Sequence, residues 1–432
     1  MRKRKSYLAN QQIIFHQLFR RFKNLPRPLQ FAFTLSLGTS ALIYASVMLW
    51  YFSNDLTNPT FLGMDKCNAC YGKKLCRSFL RGDFVLKGVS GVRVFDHVNI
   101  QNVFYAVANN SIPVVLKKLA HNSEFRDIDT KICTLSGLRY NCDLDLALSR
   151  SKPYNEPQLT TYSLENYFTR SMPCMSQRLL DYLQQHYDDD LTDFRVYKDA
   201  RKRFIYTFSV NPEPLIIKAF PYTKGYPFPK AYGACGRYLV TENAGTRLAD
   251  YYNAHWIKRI DIAWQLMKIA DKFTKGSSEN FKFYWTDCSY ENIFINNKGK
   301  VVIVDLEDII IIDTAKIERE KKAGDFDTKY SLKFTECKSG YGDCVEYSTE
   351  SLCTQKEADL NYYVICRNLL SSYANHHLKP RGFLHDLPSN IEQEYKIKGL
   401  LEDCANPTKP NERWIIKDKI LQVLKEIKDK HV

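Results

Sequence analysis

From Leu29 to Phe52 the chain carries no charged side chain. As a helix rising about 1.5 Å per residue this run covers roughly 30 Å or a little more, enough for the hydrocarbon core of a bilayer, so it predicts one membrane-spanning helix. Trp50 and Tyr51 stand where an interfacial aromatic belt would place them. Beyond it the apolar positions fall into short β-type runs at Val92 to Phe95, Val103 to Val107 and Val114 to Leu119, separated by polar turns. Leu215-Ile216-Ile217 reads as a further short strand, and Tyr238 to Asn243 as a strand followed by a hinge. A 3.6-residue period takes over from Ile257 to Phe273, with Ile260, Ile262, Ala263, Leu266, Met267, Ile269 and Ala270 on the apolar side of a helix. Two more runs, Ile293-Phe294-Ile295 and Val301 to Val304, flank Asn296-Asn297-Lys298-Gly299, a turn with the Asn and Gly that a tight hairpin needs. The stretch from Asn155 to Tyr187 reads as mixed helix, and the tail from Ala374 to Val432 as helical and basic. Asp188-Asp189-Asp190 lacks the Gly and Glu of a calcium loop and is read as a solvated acidic turn.

The hairpin organises the chemistry. It folds Asp305 back beside Asn292, with Asp287 a few residues upstream, which gives an oxygen-rich set suited to a divalent cation. Asp287 and Asn292 are five apart and Asp305 follows Asn292 by thirteen, which is the spacing of a protein-kinase catalytic segment. In the same order, Val114-Val115-Leu116-Lys117 ends on a strand lysine of the type that reaches nucleotide phosphates. That lysine needs a carboxylate on the next helix, and Glu124 is the candidate, with Asp127 and Asp129 as competitors. The chain also departs from the kinase pattern. Gly88 and Gly91 do not form G-x-G-x-x-G, Thr286 stands before Asp287 where an Arg is usual, and Glu307 stands two after Asp305 where Gly is usual. No Ala-Pro-Glu follows, and Cys337, Cys344, Cys353 and Cys366 suggest a cross-linked region instead.

Charge bears on topology more than on binding. Of the +14 formal charge over 432 residues, +8 lies in residues 1–29, which hold eight Lys or Arg and no Asp or Glu. A basic tail before an apolar helix keeps the N-terminus cytosolic and places the remainder in the lumen or outside, and gives no reason to expect nucleic acid as a partner. All thirteen cysteines follow the apolar run, as in an oxidising compartment with a disulfide framework. Cys67-x-x-Cys70 has no second pair at zinc spacing, so disulfides are expected; the odd count leaves one cysteine over, and Cys288, next to Asp287, is the candidate thiol. Asn109-Asn110-Ser111 is a glycosylation sequon between two apolar runs.

The segments CNACYGKKLCRSFLRG, NPEPLIIKAFP, AYGACGR, DIAWQLMKIADKFT, KVVIVDLED, NYYVICRNLLS and LEDCANP, spread from Cys67 to Cys404, resemble the divergent protein kinase domain 2 family. This family is a branch near the cysteine-rich secretory-pathway kinase-like proteins. The resemblance implies an α+β, disulfide-rich, bilobal protein-kinase-like fold, preceded here by the transmembrane helix. It implies residence in the Golgi or endoplasmic reticulum as a single-pass type II protein, and secretion for some members. It assigns Lys117 as the nucleotide-binding strand lysine, Asp287 as the base, and Asn292 and Asp305 as ligands of Mg²⁺ or Mn²⁺ carrying ATP. The expected division is a cytosolic tail over 1–28, an anchor over 29–52, a cysteine-containing cap over 53–83, an N-lobe with insertions over 84–245 and a C-lobe over 246–432. Two functions follow as expectations. One is transfer of the ATP γ-phosphate to a hydroxyl of a lumenal protein or glycan. The other is a catalytically inactive pseudokinase that binds a receptor or resident enzyme.

Overall fold

The computed structural model describes residues 26–51, 55–91, 102–109, 111–167, 172–187, 194–320, 329–335, 345–374 and 381–431. The first element is a helix, α1 (Arg27–Tyr51), at the position of the expected anchor. Among the described residues no helix is long and apolar enough to cross a membrane, and several side chains of α1 fall outside them.

A five-stranded antiparallel sheet has the order β1-β2-β3-β5-β4, built from β1 (Phe84–Leu86), β2 (Val103–Ala108), β3 (Ile112–Lys117), β4 (Ala231–Cys235) and β5 (Tyr238–Glu242). The run Val92 to Phe95 lies outside the described residues. β2 and β3 pair without a slip from Val103 opposite Lys117 to Ala108 opposite Ile112, turning at exposed Asn109 with φ +47°. The pleat sends Phe104, Ala106, Val114, Leu116 and Val240 to one buried face. Leu56, Leu62 and Phe79 of the preceding cap cover that face. The cap also joins the β4–β5 turn through backbone bonds, Tyr71 N–H to Gly236 O at 2.8 Å and Arg237 N–H to Leu62 O at 2.8 Å, and through the Cys76–Cys235 disulfide.

Between β3 and β4 the chain inserts a helical block containing α2 (Asn122–Leu135), α3 (Gln177–Tyr187), α4 (Phe194–Val210) and α5 (Glu213–Ala219). The run Leu215-Ile216-Ile217, expected as a strand, belongs to α5. Three consecutive apolar residues that are all buried have no period to read, whereas Pro212 and Pro214 beside Glu213 mark a helix start.

The remainder is mainly helical. α6 (Trp256–Lys275) realises the predicted amphipathic helix, burying Ile260, Ile262, Ala263, Leu266, Met267 and Ala270. It packs on β7 (Phe281–Trp285), which pairs with β10 (Ile309–Asp313). A small sheet joins β6 (Thr246–Arg247), β8 (Ile293–Ile295) and β9 (Val301–Ile303). Behind these stand α7 (Leu360–Ile365), α8 (Ile397–Ala405) and α9 (Arg413–His431), linked by the Cys366–Cys404 disulfide from the end of α7 to α8. Cys67–Cys70, Cys133–Cys142 and Cys174–Cys353 are also disulfides, and Cys288 is a buried thiol, as expected. Cys337, Cys344 and the Asp188-Asp189-Asp190 turn lie outside the described residues.

Candidate active site

The β8–β9 hairpin closes through Asn296, whose backbone N–H donates to Lys300 O at 2.9 Å and whose side-chain oxygen accepts from the Lys298 and Lys300 N–H groups. Gly299 supplies the positive φ, +72°, that the turn requires. Gln265 of α6 braces this turn, donating to Gly299 O at 2.9 Å and accepting from Val301 N–H at 3.0 Å. The ladder continues past Ile293 opposite Ile303 to a bond from Val304 N–H to Asn292 O at 3.0 Å, so Asn292 and Asp305 leave the hairpin side by side. Asn292 Nδ2 donates to Asp287 Oδ2 at 2.6 Å. Its amide nitrogen is thereby engaged, and its carbonyl oxygen is the atom available to a cation. Asp305 holds φ +62°, a left-handed conformation uncommon among side-chain-bearing residues though more accessible to Asp than to most.

The segment before Asp287 is fixed from below. Asn361 at the start of α7 accepts from Trp285 N–H at 2.9 Å and donates to Phe283 O at 2.8 Å and Thr274 Oγ1 at 3.0 Å. Thr286 donates its hydroxyl to Asp308 O, tying the residue before Asp287 to the turn after Asp305.

Lys117 reaches the same place from the five-stranded sheet. Its Nζ lies 2.6 and 2.8 Å from the carboxylate oxygens of Glu213 and 3.4 Å from Asp305 Oδ1. Burial pulls this ammonium down, but the carboxylates of Glu213 and Asp305 outweigh it and hold Lys117 above its ordinary value, so it stays charged. Lys117 pairs in register with Leu239 of β5, and the predicted hinge at Asn243 follows that strand, with Gly245 at φ +105°.

Glu124 is not the partner of Lys117. It turns back on its own helix and accepts from His121 N–H at 2.6 Å, closing the first turn of α2, where a carboxylate also complements the macrodipole. Asp129 pairs with Arg237 at 2.8 Å, while Asp127 lines the cleft. The carboxylate that sequence reading missed, Glu213, comes after the helical insertion. A usable signal was present in Asn211-Pro212-Glu213-Pro214, a helix start opening on an acid. Glu307, standing where a kinase has Gly, accepts from Asn211 Nδ2. Burial first, then the charges of Asp305 and Asp308, push its carboxyl up to about 7.

Lys117, Asn211, Asp305, Glu307, Glu124 and His121 line one cavity of about 520 Å³. A hard divalent cation takes oxygen from carboxylates, amide carbonyls and phosphates, so Asn292 and Asp305 fit such an ion and Lys117 fits a phosphate.

Residues 205–407 match a family described as "Protein-kinase domain of FAM69". The chain is 36% identical over 403 residues to "Divergent protein kinase domain 2A" of Xenopus tropicalis, covering 90% of this chain and 93% of that one. It is 37% identical over 378 residues to the Homo sapiens protein of the same description, covering 84% and 87% respectively. "Divergent protein kinase domain 2B" of Homo sapiens matches at 24% over 366 residues, covering 82% of this chain and 79% of that one.

Proposed function

The chain belongs to the divergent protein kinase domain 2 family and has a kinase-like α+β fold, and from that premise we propose that it is a phosphotransferase of the secretory pathway. The single observation that carries the proposal is the convergence of Lys117, Glu213 and Asp305, drawn from three separate parts of the chain onto one ammonium. ATP with Mg²⁺ or Mn²⁺ would supply the transferable phosphoryl group and the charge neutralisation. Asn292 and Asp305 would hold the cation and Lys117 the α- and β-phosphates, while Glu213 keeps the lysine charged and aimed. Asp287 would accept the proton of an acceptor hydroxyl, its carboxylate oriented by Asn292. Catalysis in such a site rests on positioning and on fixed charges.

The disulfides through the cap, the helical block and the α7–α8 region support a lumenal setting, since such bonds persist in oxidising compartments. With the basic tail and the apolar run at Leu29 to Phe52, we read a type II protein of the Golgi or endoplasmic reticulum, anchored by one helix, with a secreted form as a further expectation. The acceptor is then a hydroxyl of a lumenal or extracellular protein or glycan.

The second reading, a pseudokinase that binds a receptor or resident enzyme, draws support from the absence of G-x-G-x-x-G between Lys87 and Tyr105. Thermal unfolding with millimolar ATP and Mg²⁺ or Mn²⁺, on the wild type and on Asp305→Ala, separates the two. A ligand held only by the folded state raises the melting temperature. The phosphotransferase reading expects a metal-dependent rise that Asp305→Ala loses, and Asp287→Ala to keep the rise while losing transfer. No rise in the wild type would favour the binding module.

A further inference from the structure

We propose that Glu307 is a positioning residue that locks the Asp305 turn against α5, so that the metal-binding geometry is assembled before any ligand arrives. The proposal rests on the nucleotide-site reading above and extends it to a residue standing where the kinase pattern has Gly.

A side-chain bond and a lysine bridge join the turn to the start of α5. Glu307 accepts from Asn211 Nδ2, two residues before the first residue of α5. Asn211 is itself immobilised. It is buried, its backbone N–H donates to Thr207 O at 2.9 Å, and its Oδ1 accepts from Glu213 N–H at 2.9 Å, which fixes the first turn of α5. Lys117 then closes the ring by reaching both Glu213 and Asp305. Asp305 and Glu307 are therefore each held by a side chain at or facing the start of α5.

This arrangement accounts for the left-handed Asp305. An uncommon backbone conformation persists where neighbours hold it, and the Lys117 contact on Asp305 and the Asn211 bond on Glu307 do so here. A Gly at 307 would supply no side chain for Asn211 and would widen the backbone choices of the turn. The glutamate removes that freedom, so the bond it makes, more than its charge, is the functional feature.

The test uses the full chain with the variants Glu307→Gly, Glu307→Gln and Asn211→Asp. Gln retains an oxygen acceptor for Asn211, and Asp at 211 retains the acceptor for Glu213 N–H while replacing the donor with a repelling carboxylate. Affinity for ATP with Mn²⁺ is measured by titration, and amide hydrogen exchange is followed over residues 304–309. We expect Glu307→Gly and Asn211→Asp to weaken binding by about tenfold or more and to speed exchange in the turn, with Glu307→Gln staying within about twofold of wild type. Unchanged affinity and exchange in Glu307→Gly would overturn the proposal. So would equal losses in Gln and Gly, which would make Glu307 a charge-bearing ligand. If the wild type binds no nucleotide, the site reading fails, and the exchange measurement still decides whether Glu307 holds the turn.

Discussion

Lys117 and Glu213, 96 residues apart, form an ion pair at 2.6 Å in which the glutamate side chain is fully buried. Removing one member of a buried pair typically costs about 3–5 kcal/mol, and with Asp305 still 3.4 Å from Lys117 the lower end of that range is expected here. Glu213→Ala should therefore lower stability by that order and abolish the metal-dependent rise in melting temperature. Glu124→Ala removes only a helix cap, worth about 0.5–2 kcal/mol, and should leave nucleotide binding in place. Urea unfolding and thermal shift on both variants check the pair. A binding defect in Glu124→Ala as large as that in Glu213→Ala would return Glu124 to the site.

The contrast between those two glutamates marks what the sequence could reveal. Local signals sufficed where one turn or one period decides the geometry, as in the Asn296–Gly299 hairpin that brings Asn292 beside Asp305, and in α6 with its apolar stripe. They failed where an insertion separates partners, because the helical block between Lys117 and Glu213 makes the nearest downstream acid the wrong one. The strand assigned to Leu215–Ile217 failed for a different reason. All three residues are buried, so the run has no exposed side from which to read a period. Cys288 was legible as the thiol from the odd count and its place beside Asp287, but pairings such as Cys174–Cys353 depend on tertiary packing alone.

The second buried pair supports the helical part. Arg413 of α9 lies 2.6 Å from Asp359, both essentially without solvent exposure, and also donates to the carbonyl oxygens of Cys404 and Leu332. Asp359 in turn accepts from Leu332 N–H at 2.9 Å. Arg413→Ala should cost about 3–5 kcal/mol, visible as a lower urea midpoint. A cost below about 1 kcal/mol would place this pair with exposed salt bridges in its effect.

Acid should act through Asp313 at the end of β10. Burial pushes its carboxyl up, but hydrogen bonds from Arg178 and Ser176 and the Lys316 N–H outweigh that and hold it below the ordinary value of 3.8. A carboxyl whose folded value is depressed adds stability that is complete above its unfolded value and is lost as pH falls through the folded one. Asp313→Asn should therefore be less stable than wild type at about pH 6, and the gap should shrink on approaching about pH 3. A gap independent of pH over that range would show that the charge of Asp313 contributes nothing.

The docking of the cap on the five-stranded sheet turns on Gly236, which has φ +59° and where a Cβ would fall 2.0 Å from the Leu62 carbonyl oxygen. Two costs would combine in Gly236→Ala, the left-handed backbone and a clash with main chain that cannot rotate away. Gly82 separates them, since it has φ +77° and nothing within 4 Å of an added Cβ. Gly82→Ala should cost about 1 kcal/mol from backbone strain alone. Gly236→Ala should cost about 2 kcal/mol or more and loosen the cap, so that the buried Cys76–Cys235 disulfide is reduced faster by added thiol. Equal stabilities and equal reduction rates for the two variants would mean that the cap yields to the added methyl group, and that the disulfide and not the Gly236 contact holds it on the sheet.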